Sequence, residues 1–377
     1  MRRALSFENS PSFAAMLLLV GTLAVSTSCV GTGQPMASPT LEVYAEITNT
    51  RPGNVAVTPS GRVIVTNHPL DNPALRVVEV RPDGSTRPFP NLDWADGPEK
   101  GAVGIASTIG IASDTKGVVW ILDMGGESSP PQIVAWDTRT DRLHQQLTIP
   151  SHALAPTSFL QDFALDEKRR RITIADMTFP PPGAPAQPAF VVVDLDTGEC
   201  RRVLEGSDAL MPVAQDVVID GSLVAPPSES GTPTPHHLGV NPIAIDPSFE
   251  WVYFGTINGS DVFRMPAAAL ADASLGDDQL AATITVYGEK RPSDGIAVDG
   301  HGRVFITDIR ASAVGVTTPT GYTIVAQDDV LLCWPDGFAW GPDGSLYVTQ
   351  NQLHAHPGLN EGQDETKKPF HIVRLRW

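Results

Sequence analysis

Asn54, Gly110, Asp162, Asn241, Asp294 and Asp336 open six copies of one short sequence pattern, and all but the glycine carry side-chain oxygens. Carboxylates and carboxamides, with no thiolate or imidazole among them, are the donors a hard cation such as calcium prefers. Three aspartates brought within several ångströms of one another cannot all stay ionised without compensation. Either a cation sits among them, a basic side chain neutralises them, or at least one pKa rises. With a cation, a substrate carbonyl would be polarised while Asp294 or Asp336 acts as general base toward water. With a raised pKa and no metal, a carboxylate could move a proton as tautomerases and isomerases do. The competing reading is local, since Asp and Asn before Gly cap turns through side chain to backbone hydrogen bonds.

The elements that must position these residues are written in the same pattern. In "SDGIAVDGHGRVFITD" (Ser293 to Asp308) an apolar strand, an Asp/Gly turn and an alternating strand follow one another, which is the signal of a β-hairpin. It returns as "GNVAVTPSGRVIVTN", "IGIASDTKGVVWILD", "QDFALDEKRRRITIAD", "NPIAIDPSFEWVYFG" and "PDGFAWGPDGSLYVTQ". Successive ring positions are 56, 52, 79, 53 and 42 residues apart by subtraction. That is the length of a four-stranded blade with variable loops, so the chain is expected to be all-β, a six-bladed β-propeller. First strands of blades line the central channel, and their starts converge on one mouth.

Two strands stand outside the hairpins, "LEVYAEI" (Leu41 to Ile47) and "FHIVRLRW" (Phe370 to Trp377). Pairing them would close the last blade and remove two sheet edges, so Leu41 to Ile47 is expected to join blade six. Third strands are expected at Ala74 to Val80, Gln132 to Asp137, Ala189 to Asp196 and Asp261 to Pro266. Three insertions break the repeat: a Pro-rich run at 179–188, a long loop at 225–237, and "AAALADASL" at 267–275, read as a short helix on the rim.

The net charge of −17 over 377 residues repels phosphate backbones, so nucleic acid is not an expected partner. Residues 1–28 read as a signal peptide: Arg2 and Arg3 lead an apolar stretch, Phe13 to Val25, too short to span a bilayer. Ser26, Thr27 and Ser28 precede Cys29 as at a lipoprotein cleavage site, although Ser26 stands where such sites usually carry Leu, which leaves plain cleavage nearby as the alternative. Residues 29–40 read as a flexible tether and 41–377 as the propeller. The chain is thus expected to be exported, and to touch a membrane only if Cys29 carries a lipid.

"QDFALD", "GVNPIAID", "SDGIAVD" and "WPDGFAW" with "NQLH", in this order, resemble the yellow / major royal jelly protein family, including its bacterial dopachrome-tautomerase-related members. The resemblance covers roughly residues 41–377. It implies a six-bladed propeller, export, and a small-molecule pocket at one mouth of the channel, without one settled reaction. A broader resemblance is to the gluconolactonase / senescence marker propellers, which hold a divalent cation at such strand starts. By that resemblance Asn241 and Asp294 match two metal ligands and Asp162 lies at or beside a third. The fourth, a Glu, has no counterpart, with Asn54 standing near its place.

The second strands end in Asn67, Asp123, Asp176, Asp308 and Gln350, read as turn-holding hydrogen-bond networks. Cys200 and Cys333 read as unreactive thiols, with no disulfide predicted between them. Most histidines fall in loops, and His354, within "NQLH", is the one expected to face a ligand. Phe163 and Phe338 read as wedges between blades, whereas Trp334 precedes its strand and is placed against a ligand. No Gly-x-Ser-x-Gly, phosphate-binding glycine loop or redox Cys pair occurs, which disfavours serine hydrolysis, ATP chemistry and dinucleotide binding. The sequence therefore reads first as an exported propeller that binds a small molecule through Asn54, Asp162, Asn241, Trp334 and His354. The alternatives are a calcium-type lactonase or related hydrolase built on Asp162, Asn241 and Asp294, and a metal-free isomerase.

Overall fold

The computed structural model of this chain describes residues 37–127, 129–180, 184–228, 232, 234–235 and 237–377. The segment expected to be a signal peptide, Cys29 and all but the end of the expected tether lie outside them.

Each copy of the hairpin motif forms the first two strands of a four-stranded antiparallel sheet. Blade one is Pro52–Val57, Val63–Asn67, Val77–Val80 and Thr86–Pro88. Blade two is Thr108–Ser113, Val118–Asp123, Gln132–Asp137 and Arg142–Thr148. Blade three is Leu160–Asp166, Arg171–Asp176, Ala189–Asp194 and Cys200–Val203. Blade four is Val240–Ile245, Trp251–Thr256, Asp261–Pro266 and Thr285–Glu289. Blade five is Ile296–Val298, Val304–Asp308, Ala313–Thr318 and Gly321–Gln327. Blade six is Pro335–Trp340, Leu346–Gln350, Phe370–Arg376 and, on its outer edge, Thr40–Ile47. First strands of neighbouring blades touch around the whole ring, including blade six against blade one. The chain is a six-bladed β-propeller closed by its two end strands, with Thr40 opposite Arg376 and Ile47 opposite Phe370.

The core lies between blades because each second and third strand buries apolar side chains on both faces. Ile172, Ile174 and Val191 of blade three meet Trp120 and Leu122 of blade two, and Phe190 packs edge-on against Phe254 of blade four at 5.0 Å. Blades five and six meet through Phe305, Trp340 and Trp377. Burying each such side chain contributes about 1.5–3 kcal/mol.

Some boundaries differ from the sequence reading. The third strand of blade one starts at Val77 rather than Ala74, because the Arg76 N–H donates to Ala95 O instead of to the ladder. The rim helix is present as Ala267–Ala271, and a second short helix, Asp277–Ala281, follows it. A small hairpin, Val218–Ile219 with Ser222–Leu223, stands just before the 225–237 insertion.

Candidate functional site

The first strands enter the channel through breaks in register. Pairing skips between Pro52 and Val55, Thr108 and Ile111, Val240 and Ile243, and Pro335 and Phe338. Asn54, Gly110, Asn241 and Asp336 lie inside those skips, and Asp162 borders the one after Leu160. A bulge of this kind bends its strand and re-aims a side chain, here toward the channel axis. Threonines of the second strands brace the bulges. The Asn54 N–H donates to Thr66 Oγ1 and the Gly337 N–H to Thr349 Oγ1, both at 2.9 Å. Those hydroxyls in turn donate to the next blade's inner strand, Thr66 to Ile109 O and Thr349 to Gly53 O. Thr307 accepts from the N–H groups of both Asp294 and Gly295.

The six ring positions converge, but below the mouth instead of at it. Asn54 Nδ2 donates to Asp162 Oδ2 at 3.1 Å, and Asn241 Nδ2 donates to Asp294 Oδ1 at 2.6 Å. Asp336 Oδ2 accepts from Asn351 Nδ2 at 2.6 Å. The glycines make this closeness possible. A Cβ on Gly337 would lie 2.0 Å from Asn54 Oδ1, and one on Gly295 would lie 2.1 Å from Asp336 O. The ring thereby forms a septum. On one side is a cavity of about 290 Å3 that reaches Asp294; on the other a channel of about 360 Å3 reaches Asn54 and Asp162.

Burial raises the pKa values of all three carboxylates, and repulsion from Asp294 adds to the rise at Asp162 and Asp336. Burial pushes Asp162 up to about 7 against its hydrogen bonds from Phe163 N–H and Asn54. Burial also raises Asp294, opposed by bonds from Trp334 and Asn241. Asp336 is raised well above the ordinary carboxylate range by burial and by the charges of Asp294 and Asp162. A basic group stands near as well. Burial lowers Lys290 to about 7 while Asp308, Asp261 and Asp294 favour its charge, and its Nζ donates to Ser293 Oγ at 3.1 Å.

The 290 Å3 cavity is walled chiefly by apolar side chains from loops between blades, including Leu70, Phe159, Met177, Phe179, Leu238 and Leu359. Trp334, in the left-handed region at φ 49°, turns its indole into this wall and donates from Nε1 to Asp294 Oδ2 at 2.8 Å. His68, another wall residue, is held neutral by burial with its pKa lowered to about 3. Asp294 is the only carboxylate lining the cavity among the described residues.

Trp334, Asp294 and Asn241 are thus brought together as the sequence suggested. Asn54 and Asp162 open onto the opposite side of the septum, and Asn241 and Asp336 line neither cavity. His354 does not reach the Asp294 cavity: it stacks behind Trp334, ring centroids 5.9 Å apart and 10° from parallel, and lines a separate space. Phe163 packs into the core between blades two and three, and both it and Phe338 line the 360 Å3 channel. The second-strand ends are bonded networks. Asp123 accepts from the N–H groups of Ala106, Ser107 and Gly125 and from Gln132, and Asp308 accepts from Tyr322 Oη. Cys200 and Cys333 are free thiols. Lys290 and Asn351 were missed as site residues, although Asn351 stands in the "NQLH" segment.

The ring fits a hard cation only in part. Asn241 Oδ1 is buried with no hydrogen-bond partner among the described residues, as a metal-ligand oxygen would be. Against this, both Asp294 oxygens already accept hydrogen bonds. Nor do three His, Cys, Asp or Glu side chains gather closely enough to hold an ion among the described residues. No chemical step is derived through a metal.

The family model of the major royal jelly proteins matches residues 106–375. The chain belongs to the major royal jelly protein family. Among curated proteins none matches its sequence. Its fold is similar to that of a gluconolactonase from Xanthomonas campestris, with a TM-score of 0.53 and 13% identity over 89% of this chain and 90% of that one. A luciferin-regenerating enzyme gives 0.53 and 12% over 90% and 95%. A calcium-binding regucalcin from Agrobacterium tumefaciens gives 0.50 and 16% over 91% and 95%. At such identities the likeness is one of fold.

Proposed function

We propose that this chain is an exported binding propeller that seats a small amine with an apolar, planar body in the 290 Å3 cavity, its ammonium group on Asp294. The observation that carries the reading is a single buried carboxylate in a chiefly apolar wall whose other polar members, His68, Gln161 and Asn258, are not carboxylates. A carboxylate so enclosed is disfavoured as an anion until a countercharge arrives, and an ammonium supplies one. Phe159, Phe179 and Trp334 offer ring faces to the body of the ligand and to the cation. Calorimetry with tryptamine tests the reading. Saturable binding that Asp294→Asn weakens supports it, and no binding by the wild type overturns it.

The unpartnered Asn241 Oδ1 favours a second reading, a calcium-type cation at the septum serving a hydrolase. Calcium titration followed by melting temperature separates the two. A stoichiometric rise abolished in Asn241→Leu supports the cation, and an unchanged melting temperature sinks it. A metal-free proton transfer by Asp294 would use the same raised carboxylate, and a tryptamine-bound Asp294 would be unable to perform it.

A further inference from the structure

A larger cavity, about 810 Å3, lies beside blade six between the Val218–Leu223 hairpin and the segment leading into Phe370. Its size falls within the range of about 300–1,000 Å3 that small-molecule sites occupy. The stacked rings of His354 and Trp334 part it from the Asp294 cavity, since His354 lines one space and Trp334 the other.

Two of its walls are buried polar side chains with unused hydrogen-bonding atoms. Gln350, 1% exposed, stands opposite His371, 6% exposed, on the adjoining strand. Gln350 Oε1 accepts from the His371 backbone N–H at 3.1 Å, which fixes the amide and leaves Nε2 as a donor. Gln350 Nε2, His371 Nδ1 and His354 Nδ1 have no hydrogen-bond partner among the described residues. Cys333 Sγ lies 3.8 Å from His354 Nε2, and burial pushes its thiol up to about 11. The thiol can donate to or accept from Nε2, so Nδ1 is an idle donor or an idle acceptor, and a hydroxyl group satisfies either. Buried polar atoms left idle cost stability that a hydroxyl-bearing ligand would return.

The charged side chains around the cavity nearly cancel: Asp220, Asp329 and Glu365 against Lys367 and Lys368. A neutral ligand meets that balance, and a hydroxyl group, which both donates and accepts, suits idle donors beside carboxylates. We propose that this cavity is a second binding site, for a neutral polyhydroxylated molecule of the sugar or polyol class, whose hydroxyl groups hydrogen-bond Gln350 Nε2, His354 Nδ1 and His371 Nδ1. The aliphatic side chains of Ile219 and Leu223 meet its C–H faces.

The test is a calorimetric panel of neutral mono- and disaccharides, with sugar acids and amino acids of similar size, on the wild type, Gln350→Glu and His371→Phe. Gln350→Glu keeps the acceptor for the His371 N–H and removes the amide donor; His371→Phe keeps the ring volume without its nitrogens. The expected result is saturable binding of a neutral sugar, weakened at least about tenfold in both variants, with tryptamine binding near that of the wild type in each folded variant. Failure of every neutral sugar to bind, selection of the charged compounds instead, or sugar binding unchanged in both variants would overturn the proposal.

Discussion

Asp294→Asn is the most informative single change, because the surroundings can absorb it without unfolding. Asp294 accepts from Asn241 Nδ2 at 2.6 Å and from Trp334 Nε1 at 2.8 Å. An Asn at 294 can keep its oxygen toward the indole and turn its NH2 toward Asn241. The Asn241 amide then rotates, and its presently unpartnered Oδ1 accepts the new donor. Both hydrogen bonds survive and a buried carboxylate disappears, so the variant should melt no lower than the wild type at pH 8. Binding is another matter. A hydrogen bond to a charged partner contributes about 1.5–3 kcal/mol, which at about 1.4 kcal/mol per decade is roughly a 10- to 150-fold loss of tryptamine affinity. Tryptophol, the neutral analogue, should bind wild type and variant alike. Because burial raises Asp294, tryptamine should also displace a proton from it below its folded pKa. Affinity should then climb with pH in the wild type and stay flat in the variant, and calorimetry in buffers of different ionisation enthalpy reads that proton. Equal tryptamine affinity in the two proteins, or an equal loss for tryptophol, would refute the reasoning.

Other consequences concern the septum itself. Asp162 has a folded pKa of about 7 against an ordinary 3.8, so its contribution to stability is greatest below 3.8 and is lost as pH rises toward 7. At about 1.4 kcal/mol per unit the loss is at most ~4 kcal/mol, and nearer ~2 because part of the side chain faces the channel. Asp162→Asn should therefore flatten the fall in melting temperature between pH 4 and 7, and an unchanged slope would count against the raised carboxylate. Lys290 is shifted the other way, from 10.5 to about 7, so its cost is full below pH 7 and relieved as pH climbs toward 10.5. Lys290→Met should remove that alkaline gain, as chemical denaturation at pH 7 and 10 would reveal. Gly295→Ala would press a methyl group against Asp336 O and should cost about 1–3 kcal/mol, lowering the melting temperature by several degrees.

The blades were legible because their signals are local. An Asp/Gly turn between alternating strands states a hairpin in about fifteen residues, and six such statements fix the ring. Closure followed from two strands left over, Leu41–Ile47 and Phe370–Trp377. The ring residues could be named for the same reason, but their depth could not. It depends on Gly295 and Gly337 admitting a neighbouring blade, a contact between residues far apart in sequence. The cavity wall was harder still. Leu70, Phe159, Met177 and Leu238 come from separate loops with no period to announce them. Trp334, expected from its position just before a strand to face a ligand, lines the cavity wall. Which side of Trp334 the His354 ring occupies, and so which cavity it lines, could not be read from the sequence. Lys290 follows a fourth strand with no local signal, and its burial is set by Gly255 and Ile257 of blade four together with Ser293 before blade five.

The closure of blade six also has a mechanical side. Because Thr40 lies across from Arg376, the two ends of the folded ring emerge next to each other. Tension applied between those ends would meet the hydrogen bonds of this pair one after another, like a zipper, instead of straining them all together. A chain held by its N-terminal end and pulled at its C-terminal end would open at this seam first. The same seam, loaded from the N-terminal end against any other blade along the strand direction, would be sheared and would resist with its whole length.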